Sequence, residues 1–266
     1  MELFSKTRKS HRWNEDRFIN GKNYFIVIDG ATPLKSVCPF NEAHWMVSYI
    51  KGHINRYCGS VKEKLLSVCR DAFFELPEKI YDEDYLPSAG CSWVEFEGGQ
   101  IKVGILGDCE VTLISRDNKI VRCFSDELNK LDTIALTELK RISKQNNLHV
   151  FEARKQINDL LIKNRKLINK VGGYSALTIS PHPIINEKQY VFDKKDFKEI
   201  YLYSDGFSQA FENLKIYKSH GEMFENMGDI GEEIEKIKRA SFSDPFGDAF
   251  PRFKLIDDIT VTKIVL

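Results

Sequence analysis

Hydrophobic positions along the chain fall into short runs separated by turn residues, and the run Tyr24-Phe-Ile-Val-Ile28, which stops at Asp29-Gly30, sets the pattern. A β-branched and aromatic run that short, closed by a turn pair, predicts a buried strand. Two stretches with helical periodicity follow, about residues 41–57 and 61–74. In the second, Val61, Leu65, Val68 and Phe73 share one face, which predicts a helical layer packed on a sheet. Strand-like runs return at residues 91–96, 101–106, 111–115 and 120–124, broken by Gly98-Gly99 and Asp117-Asn118. Turn pairs at such short intervals predict hairpins, hence antiparallel neighbours. A polar helical region fills about residues 126–170, with Ile157, Leu160, Leu161 and Ile168 on one face and Gly172-Gly173 as its stop signal. Strands resume at residues 175–179 and 199–203, and a short amphipathic helix around Ile230, Ile234 and Ile237 precedes a last strand at 259–266. Hairpins in the middle with helices segregated before and after predict an α+β layered fold. No linker, repeat or low-complexity tract divides the sequence, so a single domain over residues 1–266 is expected, with a helical insert at about 126–172.

Composition narrows the function classes. With 266 residues, 42% of them hydrophobic, the chain can bury a core without disulfide staples, and 29% charged residues mark a soluble globule. Thirty-nine Lys and Arg balance thirty-nine Asp and Glu, so no global field draws the protein to nucleic acid or to anionic lipid. The six cysteines form no C-x-x-C pair and no secretory h-region opens the chain, which points to a reduced, cytoplasmic setting. The longest apolar run, residues 24–28, is far short of the ~20 residues a membrane span needs. Neither nucleic acid nor membrane is expected as a partner, and the protein is expected to be a monomer.

The informative acids are those at strand ends. Asp29 closes the first strand, Asp108 follows Val103-Gly-Ile-Leu-Gly107, Asp205 ends Ile200-Tyr-Leu-Tyr-Ser204, and Asp257-Asp258 stands just before Ile259-Thr-Val261. Any one Asp-Gly pair reads as turn punctuation. Four strands that each bring an acid to a terminus, together with Asn14-Glu15-Asp16 upstream, are not explained by turns. Carboxylates gathered at one sheet edge within ~4–6 Å need a proton or a cation between them, and an all-oxygen cluster suits Mg²⁺ or Mn²⁺.

The order of these motifs resembles the metal-dependent protein phosphatases of type 2C, the PPM family. The matching text is Asn14-Glu-Asp-Arg17, Phe25-Ile-Val-Ile-Asp-Gly30, Val103-Gly-Ile-Leu-Gly-Asp108, Leu202-Tyr-Ser-Asp-Gly206 and Asp257-Asp-Ile-Thr-Val261. Asn169-Lys-Val-Gly-Gly-Tyr174 and Pro251-Arg-Phe-Lys254 add a likeness to a bacterial branch whose first aspartate motif reads Asp-Gly-Ala. The resemblance implies a four-layer α-β-β-α sandwich with two central antiparallel sheets and a dimetal site at one edge. It implies that Asp29 bridges two Mg²⁺ or Mn²⁺ ions, that the Gly30 carbonyl completes one sphere, that Asp205 and Asp257 hold the other ion, and that Glu15 or Asp16 serves the second. Two ions ~3.5–4 Å apart can activate a water for in-line attack on a phosphate, so no protein nucleophile is required.

The pattern also departs from the family. Asp108 resembles the acid of a third metal site, but its usual companion is here Gln209, which argues against a third ion. The stretch Asp29-Gly-Ala-Thr-Pro33 lacks the histidine proposed as general acid, a group that typically contributes ~10² to 10⁴-fold. The place of the phosphate-binding arginine is taken by His11, with Arg12 one step later, and either a phosphate contact or a surface position fits Arg12. The resemblance thus implies a metal-dependent phosphatase acting on phosphoserine or phosphothreonine in a phosphorylated protein substrate. The departures keep open a catalytically weak relative that binds metal or a phosphoprotein as a regulatory module, and hydrolysis of a small phosphorylated metabolite is a third reading. The insert, lying between two acidic motifs, is expected to border the site and to shape substrate choice.

Overall fold

The computed structural model describes residues 1–10, 12–33, 36, 38–77 and 86–266. Two antiparallel sheets stand face to face. One runs in the order β1 (Glu2–Arg8), β11 (Ile259–Val265), β10 (Phe197–Tyr203), β6 (Glu110–Ser115), β7 (Ile120–Cys123). The other runs β2 (Asp16–Asn20), β3 (Tyr24–Ala31), β4 (Ser88–Glu97), β5 (Gln100–Leu106), β9 (Lys188–Asp193), with the two-residue β8 (Leu177–Thr178) paired to β4.

Strand alternation divides the core into layers, because successive side chains point to opposite faces. In β3, Phe25 and Val27 face the gap between the sheets, where they meet Val103 and Ile105 of β5, Val111 and Leu113 of β6, and Ile200 and Leu202 of β10. Ile26 and Ile28 face outward onto α1 (Glu42–His53) and α2 (Val61–Glu75) through Met46, Ile50, Leu65 and Val68. On the far side, Tyr201, Tyr203, Ile259 and Val261 pack against α6 (Asp205–Glu212), α7 (His220–Asn226) and α8 (Ile230–Ser243) through Phe207, Met223 and Ile234. Each such apolar side chain contributes roughly 1.5–3 kcal/mol on burial. The result is the expected α-β-β-α sandwich.

Local chemistry sets the helix starts. The Asn41 side chain accepts from the His44 amide, and Ser60 and Glu63 form a reciprocal capping box. The polar region after β7 is not one helix. Asn147, in the left-handed conformation at φ 51°, ends α3 (Glu127–Asn146), and the chain continues through α4 (Val150–Ala153) and α5 (Asn158–Arg165). Ala135, Leu139, Val150, Ala153 and Ile157 give this insert a small core of its own.

Other differences from the sequence-based expectations have physical causes. The strand expected at 175–179 shrinks to β8. The edge strands β1 and β9 and the short β2 lack apolar alternation; all of β1 except Leu3 is exposed. Asp205 opens a helix instead of closing a strand in a turn. Cys69, Cys91, Cys109 and Cys123 are buried as expected, whereas Cys58 is exposed, and no disulfide is formed among the described residues. Among the described residues no helix is long and apolar enough to cross a membrane.

Candidate metal centre

Asp29 continues the inward series of Phe25 and Val27 just past the packed core, and the β2–β3 register sets Asp16 directly opposite it. Ser204, at the end of β10 in the other sheet, donates its hydroxyl to Asp16 Oδ2 at 2.7 Å and accepts from the Thr260 amide at 3.0 Å. One side-chain bond thereby joins the two sheets at this edge.

Asp108 arrives through a turn that needs glycine twice. Gly107 has φ +67°, and a Cβ there would stand 3.0 Å from Gly90 Cα; a Cβ on Gly90 would stand 2.5 Å from Asp108 Oδ1. With both side chains absent, β4 and the β5 turn close up. Carboxylate oxygens of Asp29 and Asp108 and the Cys109 Sγ then lie within 4.8 Å of one another. Asp205, first residue of α6, stands close enough to Asp29, Asp257 and Asp108 to feel their charges.

The neighbours Asp257 and Asp258 have separate tasks. Asp258 is saturated: its Oδ1 accepts from the Ser10 amide (2.6 Å) and hydroxyl (2.8 Å), and its Oδ2 from the Glu15 amide (2.6 Å). It pins the N-terminal segment beside the site. Asp257 faces the cavity, where its Oδ1 accepts from Lys254 Nζ at 2.5 Å and from the Asp258 amide at 2.9 Å. Glu15 Oε1 accepts from Thr32 Oγ1 at 2.7 Å and from Asn41 Nδ2, and its carbonyl accepts from the Gly30 amide at 3.0 Å. A Cβ on residue 30 would come 2.8 Å from that carbonyl, so the approach of the two segments requires glycine.

Glu15, Asp29, Gly30, Asp108, Asp205 and Asp257 all line one cavity of about 350 Å³. It adjoins a second of about 410 Å³ lined by Asp108, Asp205, Gln209, Glu212 and Asp257. Asp16 lies outside the lining, almost fully buried at 1% exposure. Arg12 lines neither cavity: it is exposed, with its guanidinium 5.1 Å from the centre of the Trp13 ring. His11 lies outside the described residues.

The charges are out of balance. Burial, then repulsion from Asp16, Asp205, Asp108 and Asp257, holds Asp29 well above the usual carboxylate range; burial, then Asp257 and Asp108, does the same for Asp205. Burial pushes Asp16 up to about 7 and Asp108 up to about 6. Lys254 answers in the other sense: desolvation pulls its ammonium down, but Asp257, Asp205 and Asp29 together raise it above its ordinary value. One ammonium cannot neutralise four carboxylates. Asp16 Oδ1 and Asp205 Oδ1 are buried acceptors without a partner. Orphaned oxygens, an all-oxygen donor set and excess negative charge fit hard divalent cations.

Solved structures share this architecture. Serine/threonine phosphatase Stp1 from Staphylococcus aureus matches over 100% of this chain and 94% of its own, with a TM-score of 0.55 at 10% identity. The Mycobacterium tuberculosis serine/threonine phosphatase PstP/Ppp matches over 100% and 98%, with 0.57 at 14%, and the PPM Ser-Thr phosphatase MsPP from Mycobacterium smegmatis over 100% and 98%, with 0.54 at 16%. The chain has the PPM phosphatase fold. No family description and no curated protein matches the sequence itself.

On this PPM framework the cavity also holds residues that sequence reasoning left without a role. Lys254 stands in the quoted Pro251-Arg-Phe-Lys254 motif, yet its place among Asp257, Asp205 and Asp29 follows only from the fold. The insert borders the site as expected, through Leu128, Asp132, Arg154, Leu161, Asn164 and Arg165. Burial, then Asp108 and Glu212, pushes Asp132 up to about 7. Asp132 lies inside α3, away from any strand end or turn, and so gives no signal of that kind in sequence.

Proposed function

We propose that the protein is a Mg²⁺- or Mn²⁺-dependent phosphatase that hydrolyses phosphoserine and phosphothreonine monoesters in proteins. The observation that carries this reading is the convergence of Asp29, Asp108, Asp205 and Asp257, from both sheets, on one cavity, with a buried oxygen of Asp205 there and one of Asp16 behind it left without a partner. Two ions would be held by Asp29, the Gly30 carbonyl, Asp205 and Asp257, with Glu15 or Asp16 and Asp108 adding charge. A PstP catalytic domain, similar in fold over 98% of this chain with a TM-score of 0.53, is described in complex with two manganese ions. When bound, such cations acidify a water and screen phosphoryl oxygens.

The chain's own residues hold the frame for that chemistry. Asp205 and Asp257 come from one sheet and Asp29 from the other, so the sandwich fixes their separation. In the net reaction, a water oxygen adds to phosphorus, the bond from phosphorus to the Ser or Thr oxygen breaks, that oxygen takes a proton, and inorganic phosphate leaves. No histidine lines either cavity among the described residues. The leaving oxygen then takes its proton from water or from another group of the cavity, and protonation by water alone would forgo the ~10² to 10⁴-fold typical of a general acid. Cysteines that form no disulfide among the described residues support a reduced, cytoplasmic site of action.

Purified protein should hydrolyse an aryl phosphate and a phosphothreonine peptide with Mn²⁺, and chelator should abolish both activities. Asp29→Asn and Asp205→Asn should each lower Mn²⁺-dependent turnover by about 10²-fold or more, since even groups that merely support metal ligands are worth 10–100-fold. Activity that survives in both variants would sink the assignment.

A further inference from the structure

Resting on the phosphatase reading, we propose that Arg165, from the helical insert, is the residue that grips the phosphoryl oxygens of the substrate. A phosphate dianion entering a cavity walled by carboxylates needs a cationic donor of fixed geometry as well as the ions themselves. Three basic residues line the cavity: Lys254, Arg154 and Arg165. Lys254 is committed to Asp257, and among the described residues Arg154 makes only a long contact to Asn158 Oδ1 at 3.5 Å. Arg165 differs from both.

Arg165 is the last residue of α5, and its half-buried guanidinium crosses to the end of β3. Its Nη1 donates to Ser88 Oγ at 2.7 Å and to the Ala31 carbonyl at 3.3 Å; its Nη2 donates to the Thr32 carbonyl at 3.2 Å. Ala31 and Thr32 directly follow Asp29-Gly30, so the cation is anchored to the segment that carries the proposed bridging acid. All three acceptors are neutral, and among the described residues no carboxylate forms an ion pair with it, so its charge is not cancelled. These bonds use both N–H groups of Nη1 and one of Nη2. Among the described residues Nε–H meets no acceptor, and the edge formed by Nε and Nη2 is the one that can meet two oxygens of a phosphate side by side. Tyr174, which lines the same cavity, registers the charge: burial raises its hydroxyl to about 12, with Arg165 pulling it down and Asp108 and Asp132 pushing it up. The guanidinium therefore faces the same space as the acids, whereas Arg12 sits on the surface over Trp13.

The test is calorimetric titration of inorganic phosphate into Mn²⁺-loaded protein, with Michaelis constants for a phosphothreonine peptide measured beside it. Arg165→Ala should weaken phosphate binding about tenfold or more and raise KM in parallel, as expected for loss of a charge-assisted fork. Arg165→Lys should recover only part, because an ammonium presents no fork. Ser88→Ala removes one tie while keeping the guanidinium; a loss there as large as in Arg165→Ala would make the residue structural and overturn the proposal. The same titration on Arg12→Ala decides between the two arginines: a loss there with none in Arg165→Ala overturns it as well. If wild-type protein turns over no phosphoester yet binds phosphate through Arg165, the phosphatase reading falls and this assignment stands. Turnover that is indifferent to Arg165→Ala overturns the assignment and leaves the phosphatase reading in place.

Discussion

Replacing Asp16 by asparagine should make the metal-free protein more stable at alkaline pH. Asp16 is 1% exposed, and one of its oxygens has no partner. Burial, reinforced by Asp258 and Asp257 and opposed by the Ser204 hydroxyl, lifts it from its ordinary 3.8 to about 7. Between these two values the folded protein keeps a proton that the unfolded chain has already lost. Stability from this group is therefore present below pH 3.8 and drains away as pH rises to 7. At pH 8 the buried carboxylate costs about 4 kcal/mol. Asparagine carries no charge and retains an oxygen for Ser204, but brings N–H groups to a place without acceptors, at a cost of about 1–3 kcal/mol. The net gain at pH 8 is thus about 1–3 kcal/mol, and it should vanish by pH 5. Asp108 and Asp132 titrate in the same window, so only the difference between variant and wild type isolates Asp16. Urea denaturation in chelator at the two pH values measures that difference. Repeating it with Mn²⁺ should narrow or invert the gap, because a cation that binds the folded state stabilises the protein with the full acid set more. A variant no more stable than wild type at pH 8, or a gain that ignores pH, would refute the reasoning.

Two further substitutions probe the frame. Gly206→Ala would place a Cβ 2.0 Å from the Asp258 carbonyl, so α6 must move off β11; a loss of about 2–4 kcal/mol and a weakened Mn²⁺-induced thermal shift are expected, and an unchanged melting curve would contradict them. Leu139→Ala empties part of the small core of the insert and should cost about 2–4 kcal/mol there. Hydrogen exchange should quicken across residues 127–165 while the strands stay protected; uniform loss of protection would show that the insert has no separate stability.

Elements whose burial is continuous in sequence were readable from it. Tyr24 to Ile28 is apolar because both faces of β3 are covered, and the hairpins from β4 to β7 announce themselves by their turn pairs. β1 is different: it is an exposed edge strand whose partner β11 lies at the opposite end of the chain, so nothing local marks it. The acids at strand ends stood out as a set, but their division of labour did not. Asp257 and Asp258 are adjacent and chemically identical, and only bonds from Ser10 and Glu15 commit the second to structure. Arg165 was invisible because the carbonyls that hold it lie 133 and 134 residues upstream. Arg12 stands out in sequence because it lies near the position the resemblance gives to a phosphate-binding arginine, and in the structure it is exposed over Trp13.

The bond from Ser204 to Asp16 has a mechanical meaning. Asp16 and Asp29 ride on one sheet, Asp205 and Asp257 stand at strand ends of the other, and Asp108 sits in the link between them, so the cavity is a seam and not a pit in a single surface. Breathing of the sandwich at that edge changes every distance across the seam at once. A cation held there would act as a rivet across the seam, and parting the sheets and releasing the cation would be motion along one coordinate.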